Sequence, residues 1–255
     1  PQDVQGKALF ETPTYAKLQK RFQHLSRHPG IGILTAESGV GKTAAIRNLC
    51  NSLPRPDYKV IYLCDTFISP IELYRQIALE IGLTPCHRRG QLWRELKKTL
   101  LHMVDEQSIK PVLIIDEAQH LCDRFLADLS GFLNFAMDSR NLITLWLVGL
   151  PTIRAFLRMK RNESLSSRIC ASIHLEPMSE RKQFEKFLEH GLKAGGASTK
   201  LFADSVIELL FRASRGIPRR VSYLVREALM MAQEQDKKFI DDTVMEAVLD
   251  QEDLP

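Results

Sequence analysis

The segment TAESGVGKTAAIRNLC, Thr35–Cys50, carries residue types and spacing that suit a phosphate group. Ala36 is followed by four residues and then by Gly41, Lys42 and Thr43, at the start of a helical pattern. Glycines let the backbone curl so that its N–H groups and the helix N-terminus surround phosphates. This spacing predicts that Lys42 reaches the β and γ phosphates of ATP and that Thr43 binds Mg²⁺.

Ala36 stands where the usual phosphate-loop pattern has its first glycine. That glycine only starts the turn, whereas Gly39 and Gly41 hold the positions closest to the phosphates. We therefore predict a working loop. Its nucleotide-binding residues are Ala36, Glu37, Ser38, Gly39, Val40, Gly41, Lys42, Thr43 and Ala44.

A second acidic motif follows in PVLIIDEAQHL, where an apolar run ends in Asp116 and Glu117. Such a strand presents both carboxylates at the carboxyl edge of a sheet, where ligands of open α/β folds bind. We expect Asp116 to hold Mg²⁺ and Glu117 to orient and polarise the attacking water. The alternative is a strand-to-helix turn whose acidic residues only favour the helix N-terminus.

The elements around these motifs alternate between short β-rich runs and longer helical patterns up to about residue 175. Nearly continuous apolar strands separated by helices predict a central parallel sheet covered by helices on both faces. From Pro177 onward four helical patterns follow without strand-like runs. We therefore predict an α/β nucleotide-binding domain over residues 1–176 and a small C-terminal helical lid over residues 177–255.

Composition gives only broad limits, because 44% hydrophobic and 26% charged residues are ordinary for a folded chain. A net charge of +4 is too small to prove nucleic-acid binding. The five cysteines form no CxxC pair, which favours reduced thiols in the cytoplasm. Apolar runs fall short of the roughly 18 residues of a membrane span, so we expect no membrane partner.

The motifs AESGVGKT and IIDEAQHL, together with SRGIPRRV, resemble the AAA+ ATPases, in the branch of ExeA-type proteins and the transposition ATPases TnsC, MuB and IstB. The resemblance runs from about Phe10 to the final helix. It implies a P-loop AAA+ fold. It also implies ATP-dependent assembly into a homo-oligomer, a ring or helical filament, with the nucleotide between neighbouring subunits.

Two arginines match catalytic positions of that family. Arg219 of GIPR corresponds to the sensor 2 arginine of the lid, and Arg168 of LSSRI corresponds to the arginine finger that enters the neighbour's site. Arg161 is the second candidate for the finger. An arginine suits both tasks because its planar, permanently charged fork stabilises charge on phosphate oxygens. Ordinary surface charge is the alternative for both residues.

One position departs from the family pattern. Leu150, in LWLVGLPT, occupies the sensor 1 position, which usually carries a polar side chain. We expect either slow hydrolysis or a substitute role for Thr152. Slow turnover suits a switch that persists in its ATP state better than a motor.

Basic residues concentrate in CHRRGQLWRELKK, which lies between the second predicted strand and the DEAQ strand. In transposition ATPases this region contributes to the surface that surrounds duplex DNA, so Arg88, Arg89 and Arg94 are candidates for sequence-independent phosphate contacts. Lys97 and Lys98 are weaker candidates. A solvated helix face is the alternative. Trp93 and Trp146 lie in apolar patterns, so we assign them to the core.

These features favour an ATP-dependent, DNA-binding regulator of transposition, which oligomerises on target DNA and recruits or activates a transposase. The alternative is an ExeA-like ATPase of secretion or cell-envelope assembly that does not act on DNA. ExeA-type proteins usually continue into a membrane span and a peptidoglycan-binding module. The sequence contains neither, and a truncated ExeA-type chain would also lack both. A replication initiator or clamp-loader-like factor ranks lower, because no winged-helix domain follows the lid.

Overall fold

The computed structural model describes residues 9–135, 140–197 and 201–252. The chain divides into two compact units. The sheet unit contains Pro13–Ala36 and Lys42–Leu175, and the helical unit contains residues 9–12, Glu37–Gly41 and the described residues from Glu176 onward. The domain boundary at residues 176 and 177 stays a prediction.

The sheet unit is built on five strands, all parallel, in the order β2-β3-β4-β1-β5 among the described residues. They are β1 (Ile31–Thr35), β2 (Tyr58–Leu63), β3 (Lys110–Ile115), β4 (Thr144–Gly149) and β5 (Ile169–His174). Strands β1, β3 and β4 are almost completely buried, as the apolar runs predict. The predicted parallel sheet is confirmed.

In the described part of the sheet unit, seven α-helices connect and cover these strands. They are α1 (Pro13–Arg27), α2 (Lys42–Asn51), α3 (Pro70–Glu80), α4 (Arg89–Asp105), α5 (Asp123–Phe132), α6 (Thr152–Leu157) and α7 (Glu163–Ser166). A short 3-10 turn spans Ala118–His120 between β3 and α5.

Successive residues of β4 face opposite sides of the sheet and so reveal both layers. Leu145 and Leu147 pack into a core formed with side chains of α3, α4 and α5. On the other face Trp146 is completely buried and stacks on Phe22 of α1, with ring centroids 5.8 Å apart. Trp93 packs partly buried against the first core. Helices therefore cover both faces of the sheet, as predicted.

The helical unit contains α8 (Arg181–Ala194), α9 (Asp204–Ser214), α10 (Pro218–Glu234) and α11 (Asp242–Glu252), which confirms the four predicted C-terminal helices. Its own core includes the buried side chains Phe184, Leu210, Leu224 and Val244. No helix in the described part of the chain is sufficiently long and apolar to cross a membrane. The five cysteines all lie in described residues and form no disulfide.

Parallel pairing decides where the chemistry lies. The carboxyl ends of β1, β3 and β4 meet at the same edge of the sheet, because β1 pairs with β4 and β4 pairs with β3 in parallel. The next residues along the chain are Ala36, Asp116 and Leu150. Three separate sequence motifs are thus collected at the edge where open α/β sheets bind ligands.

Gly32 offers a test of this packing, because a Cβ atom there would lie 2.6 Å from the buried indole ring of Trp146. We expect Gly32→Ala to lower the free energy of unfolding by about 1–3 kcal/mol, the usual cost of an overpacked core. Urea denaturation of both proteins measures the difference. Gly90→Ala in α4 is the control: apart from the adjacent residues and the nearby backbone of α4, no atom of the described residues lies within 4 Å of an added Cβ, so stability should be unchanged or slightly higher. Equal midpoints for Gly32→Ala and wild type would contradict the packing.

Candidate nucleotide-binding site

The phosphate-loop motif begins in the sheet unit with Ala36, which is fully buried. Its N–H donates to the carbonyl of Gly149 at 3.2 Å, and its carbonyl accepts a hydrogen bond from Nζ of Lys42 at 2.9 Å. Lys42 is only 7% exposed, although it is the first residue of α2 and no acidic residue occupies the first turn. A buried ammonium at the positive end of a helix favours an anion, as a phosphate requires.

Gly39 and Gly41 of the motif have φ angles of 81° and 110°, a conformation that glycine adopts without strain. Gly39 also packs closely within the helical unit: an added Cβ would lie 3.0 Å from side-chain atoms of both Arg219 and Ile217. The phosphate-loop pattern alone predicts only that this glycine lies close to the phosphates. The structure adds that Gly39 lets the start of α10 approach the loop.

Arg219, predicted to contact the γ-phosphate, lies beside the loop residues that belong to the same unit. Its N–H donates to the carbonyl of Gly39 at 3.1 Å, and its Nη1 lies 3.4 Å from Oγ of Ser38. The guanidinium is exposed. The position fits the expected role, which stays a prediction.

Asp116 is the centre of the hydrogen-bond network in the sheet unit, and it is only 2% exposed. Its Oδ2 accepts hydrogen bonds from the hydroxyls of Thr43 at 2.7 Å and Tyr62 at 3.0 Å. Its Oδ1 accepts one from the N–H of Glu117 at 2.9 Å. The two residues predicted to bind the metal are therefore in contact. Hydroxyl and carboxylate oxygens are ligands that Mg²⁺ prefers, so these side chains fit the ion.

Tyr62 is a member of the site that the sequence argument missed. It lies near the end of β2, which pairs directly with β3. Burial, and then the charge of Asp116, raises the pKa of the Tyr62 hydroxyl, so at neutral pH the hydroxyl stays protonated and donates to the carboxylate. A polar aromatic residue in the apolar run KVIYL was the available signal.

Glu117 has a left-handed backbone conformation, with φ 51° and ψ 36°. For a residue other than glycine this costs about 1 kcal/mol or more and persists only where neighbours hold it. The buried hydroxyl of Thr66 donates to the Glu117 carbonyl at 3.1 Å, and Asp116 binds the Glu117 N–H. Glu117 directly precedes the 3-10 turn Ala118–His120, so the role of its carboxylate stays a prediction beside the alternative of a strand-to-helix turn.

Gln119 connects the acidic motif to the end of β4. Its Nε2 donates to Oε2 of Glu117 at 2.6 Å, and its Oε1 accepts from the N–H of Leu150 at 2.9 Å. Leu150 thus belongs to the hydrogen-bond network of the site through its main-chain N–H, although its side chain is apolar. Thr152, the suggested substitute, is exposed at the start of α6 and makes no side-chain hydrogen bond within the described residues.

The two candidates for the arginine finger have partners within their own chain. Arg168 is half-buried, and its Nη1 donates to the carbonyl of Ser130 at 3.1 Å. Arg161 forms an ion pair with Asp123 at 2.8 Å and lies over the ring of Phe156. Either side chain would have to leave these partners to reach a neighbouring subunit, and the role of both stays a prediction.

The basic residues around α4 divide into two groups. Arg89 pairs with Asp128 at 2.8 Å and lies over the ring of Trp93. The ammonium of Lys97 donates to the carbonyls of Gly131 and Asn134 around the end of α5, and burial lowers its pKa. In contrast, Arg88, Arg94 and Lys98 are exposed and have no side-chain partner within the described parts of the chain. Exposed cations without partners are the better candidates for binding phosphates.

Comparison with known proteins agrees with this geometry. The family described as the AAA domain matches residues 24–157, which is more than half of the chain. The chain therefore belongs to the AAA domain family, a class of nucleotide-hydrolysing ATPases. The predicted P-loop AAA+ fold, with its parallel sheet and C-terminal helices, is confirmed.

Individual relatives share parts of this fold. The general secretion pathway protein A of Aeromonas hydrophila is 28% identical over 240 residues, which cover 88% of this chain but only 42% of that protein. The Aeropyrum pernix ORC1 protein, solved in complex with DNA, has a TM-score of 0.69 at 15% identity and covers 98% of this chain and 67% of its own. The Thermotoga maritima RuvB branch migration motor has a TM-score of 0.63 at 15% identity, with coverages of 97% and 73%. At these identities the structures establish the fold alone.

The buried ammonium of Lys42 gives the most direct test of the site. We expect Lys42→Ala to weaken binding of a fluorescent ATP analogue by about 100-fold, or about 2.7 kcal/mol, because a charge-assisted contact with phosphate is lost. Lys20→Ala, an exposed lysine on α1, is the matched control and should bind as wild type does. Equal affinities for Lys42→Ala and wild type would exclude the site.

Proposed function

We propose that this protein is a Mg²⁺-dependent ATPase that assembles on duplex DNA in its ATP state. The observation that carries the proposal is the contact of Thr43 with the buried carboxylate of Asp116 at 2.7 Å, in a hydrogen-bond network that continues to Glu117. A structural network would not need a buried carboxylate and a buried ammonium at the same sheet edge, since burying charges is costly.

Each side chain then has a defined task. The loop N–H groups and Lys42 bind the phosphates, while Thr43 and Asp116 hold the metal. Glu117 orients the attacking water and accepts its proton. Bound Mg²⁺ would neutralise charge that develops on the phosphate oxygens.

The arginines complete the proposed site. Arg219 senses the γ-phosphate within its own chain, and Arg168 of one subunit enters the site of the next. A site that needs an arginine from the neighbouring subunit couples ATP hydrolysis to assembly. The assembled homo-oligomer is a ring or a helical filament. The apolar side chain of Leu150 favours slow turnover, which suits an assembly that persists until ATP is consumed.

Duplex DNA is the partner that we propose for this assembly. Support comes from the exposed, unpaired side chains of Arg88 and Arg94 among the described residues, and from the fold shared with an ORC1 protein solved in complex with DNA. Contacts from arginines to phosphates position a protein on DNA without reading sequence. In this proposal the DNA-bound oligomer recruits or activates a transposase.

A second function has support of its own, because the relative at 28% identity is a general secretion pathway protein. The chain spans less than half of that protein, so a role in secretion is likewise a proposal. In this alternative the same ATP-driven assembly acts on protein partners in the cell envelope. Binding to DNA separates the two functions.

Assembly can be measured by sedimentation with duplex DNA. We expect wild type to form a DNA-bound oligomer with a slowly hydrolysed ATP analogue, and Lys42→Ala to remain unassembled. Glu117→Gln should bind ATP without hydrolysing it, because its amide cannot accept the proton, and should therefore form a lasting oligomer with ATP itself. Equal loss of assembly in both variants would contradict the assigned roles, and assembly without DNA would favour the secretion alternative.

The DNA surface predicts a change in salt dependence. We expect Arg88→Glu combined with Arg94→Glu to weaken binding to all duplex sequences alike. The slope of the logarithm of the DNA-binding constant against the logarithm of the salt concentration should become smaller in magnitude by about 1 for each lost phosphate contact. Lys17→Glu combined with Arg21→Glu changes the same charge on exposed residues of α1 and is the control. A defect limited to some sequences, or equal defects in both double variants, would show that this surface is misassigned.

A further inference from the structure

A continuous path of hydrogen bonds runs from the first residue of the phosphate loop to Glu117. The N–H of Ala36 donates to the carbonyl of Gly149, and the next N–H along β4, that of Leu150, donates to Oε1 of Gln119. Gln119 then donates through Nε2 to the Glu117 carboxylate at 2.6 Å. All members of this path lie in the sheet unit.

The amide of Gln119 satisfies both ends of its contact, because it carries an acceptor and a donor. The N–H of Leu150 requires a hydrogen-bond acceptor, whereas the carboxylate of Glu117 requires a hydrogen-bond donor. Gln119 directs Oε1 toward the N–H of Leu150 and Nε2 toward the carboxylate of Glu117, so these two neighbours determine the orientation of its amide. A carboxylate at position 119 would repel Glu117, and an apolar side chain would leave the Leu150 N–H without this partner.

Gly149 makes room for this amide. A Cβ at position 149 would lie 2.5 Å from Oε1 of Gln119 and 3.3 Å from the Ala118 and Gln119 nitrogens. The φ angle of Gly149 is not in the positive range, so the reason for glycine here is space rather than backbone conformation. The residue that ends β4 is therefore matched to the amide that lies against it.

We propose that Gln119 is a positioning residue for ATP hydrolysis, fixing the Glu117 carboxylate through the main chain of Leu150. A glutamate side chain has three rotatable torsions, and ordering it costs conformational entropy. Anchoring Oε2 removes that cost in advance and leaves Oε1 to bind the attacking water. The inference rests on the proposed ATPase function and gives the apolar Leu150 a role that does not depend on its side chain.

The kinetic test uses Gln119→Leu, which keeps the approximate size but loses both hydrogen bonds, together with Gln119→Ala. We expect kcat to fall about 10- to 100-fold in both, a part of the 10²–10⁴-fold that a general base contributes. KM, the affinity for a fluorescent ATP analogue and the melting temperature should stay close to wild type, because nucleotide binding does not use Gln119. Gln91→Ala is the matched control: it breaks another hydrogen bond from a glutamine to a glutamate, that of Gln91 with Glu95 at 2.8 Å on the exposed face of α4, and should leave kcat unchanged.

Gly149→Ala is an independent variant: it should lower kcat through the displaced amide, and its effect should be less than additive with Gln119→Ala.

The outcomes separate the two proposals. A wild type that hydrolyses ATP, with kcat in Gln119→Leu and Gln119→Ala unchanged or raised, would overturn the positioning role and leave the ATPase function intact. Loss of ATP affinity in step with kcat would overturn it as well. A wild type that binds ATP but never hydrolyses it would overturn both.

Discussion

Two buried charges at one edge of a parallel sheet are the constraint on which the rest of this structure depends. Lys42 and Asp116 are 7% and 2% exposed, and buried ions are stable only where their partners are fixed. The parallel order β2-β3-β4-β1 supplies those partners, because it brings Thr43 and Tyr62 to the Asp116 carboxylate. We propose that a site assembled in this way binds an anion and a divalent cation together, as the chemistry of an AAA+ ATPase requires.

The parts of the site that are local in sequence were predictable. Lys42 and Thr43 follow a glycine pattern whose backbone geometry is intrinsic, and Asp116 ends an apolar run that had to be a buried strand. The sheet and the C-terminal helices followed in the same way, from periodicity and run length. Contact between Thr43 and Asp116 needed only one further rule, that carboxyl ends of parallel strands share an edge.

Contacts that depend on the order of the strands were not predictable. Tyr62 reaches Asp116 only because β2 lies beside β3, and Gln119 reaches Leu150 only because β4 lies on the other side of β3. Basic residues show the same limit: Arg88 and Arg89 are adjacent in sequence, but Asp128 of α5 pairs with Arg89 alone. Sequence spacing identifies charges, whereas tertiary neighbours decide which of them remain available to a ligand.

We propose above all that the side chains around the buried Asp116 and Lys42 bind ATP together with Mg²⁺. Calorimetric titration of a slowly hydrolysed ATP analogue into wild type, with Mg²⁺ and then with a chelator, tests it most directly. We expect saturable binding of one nucleotide per chain with Mg²⁺, and affinity lower by about tenfold or more, at least about 1.4 kcal/mol, without it. The same affinity in both conditions, or no binding in either, would contradict the claim.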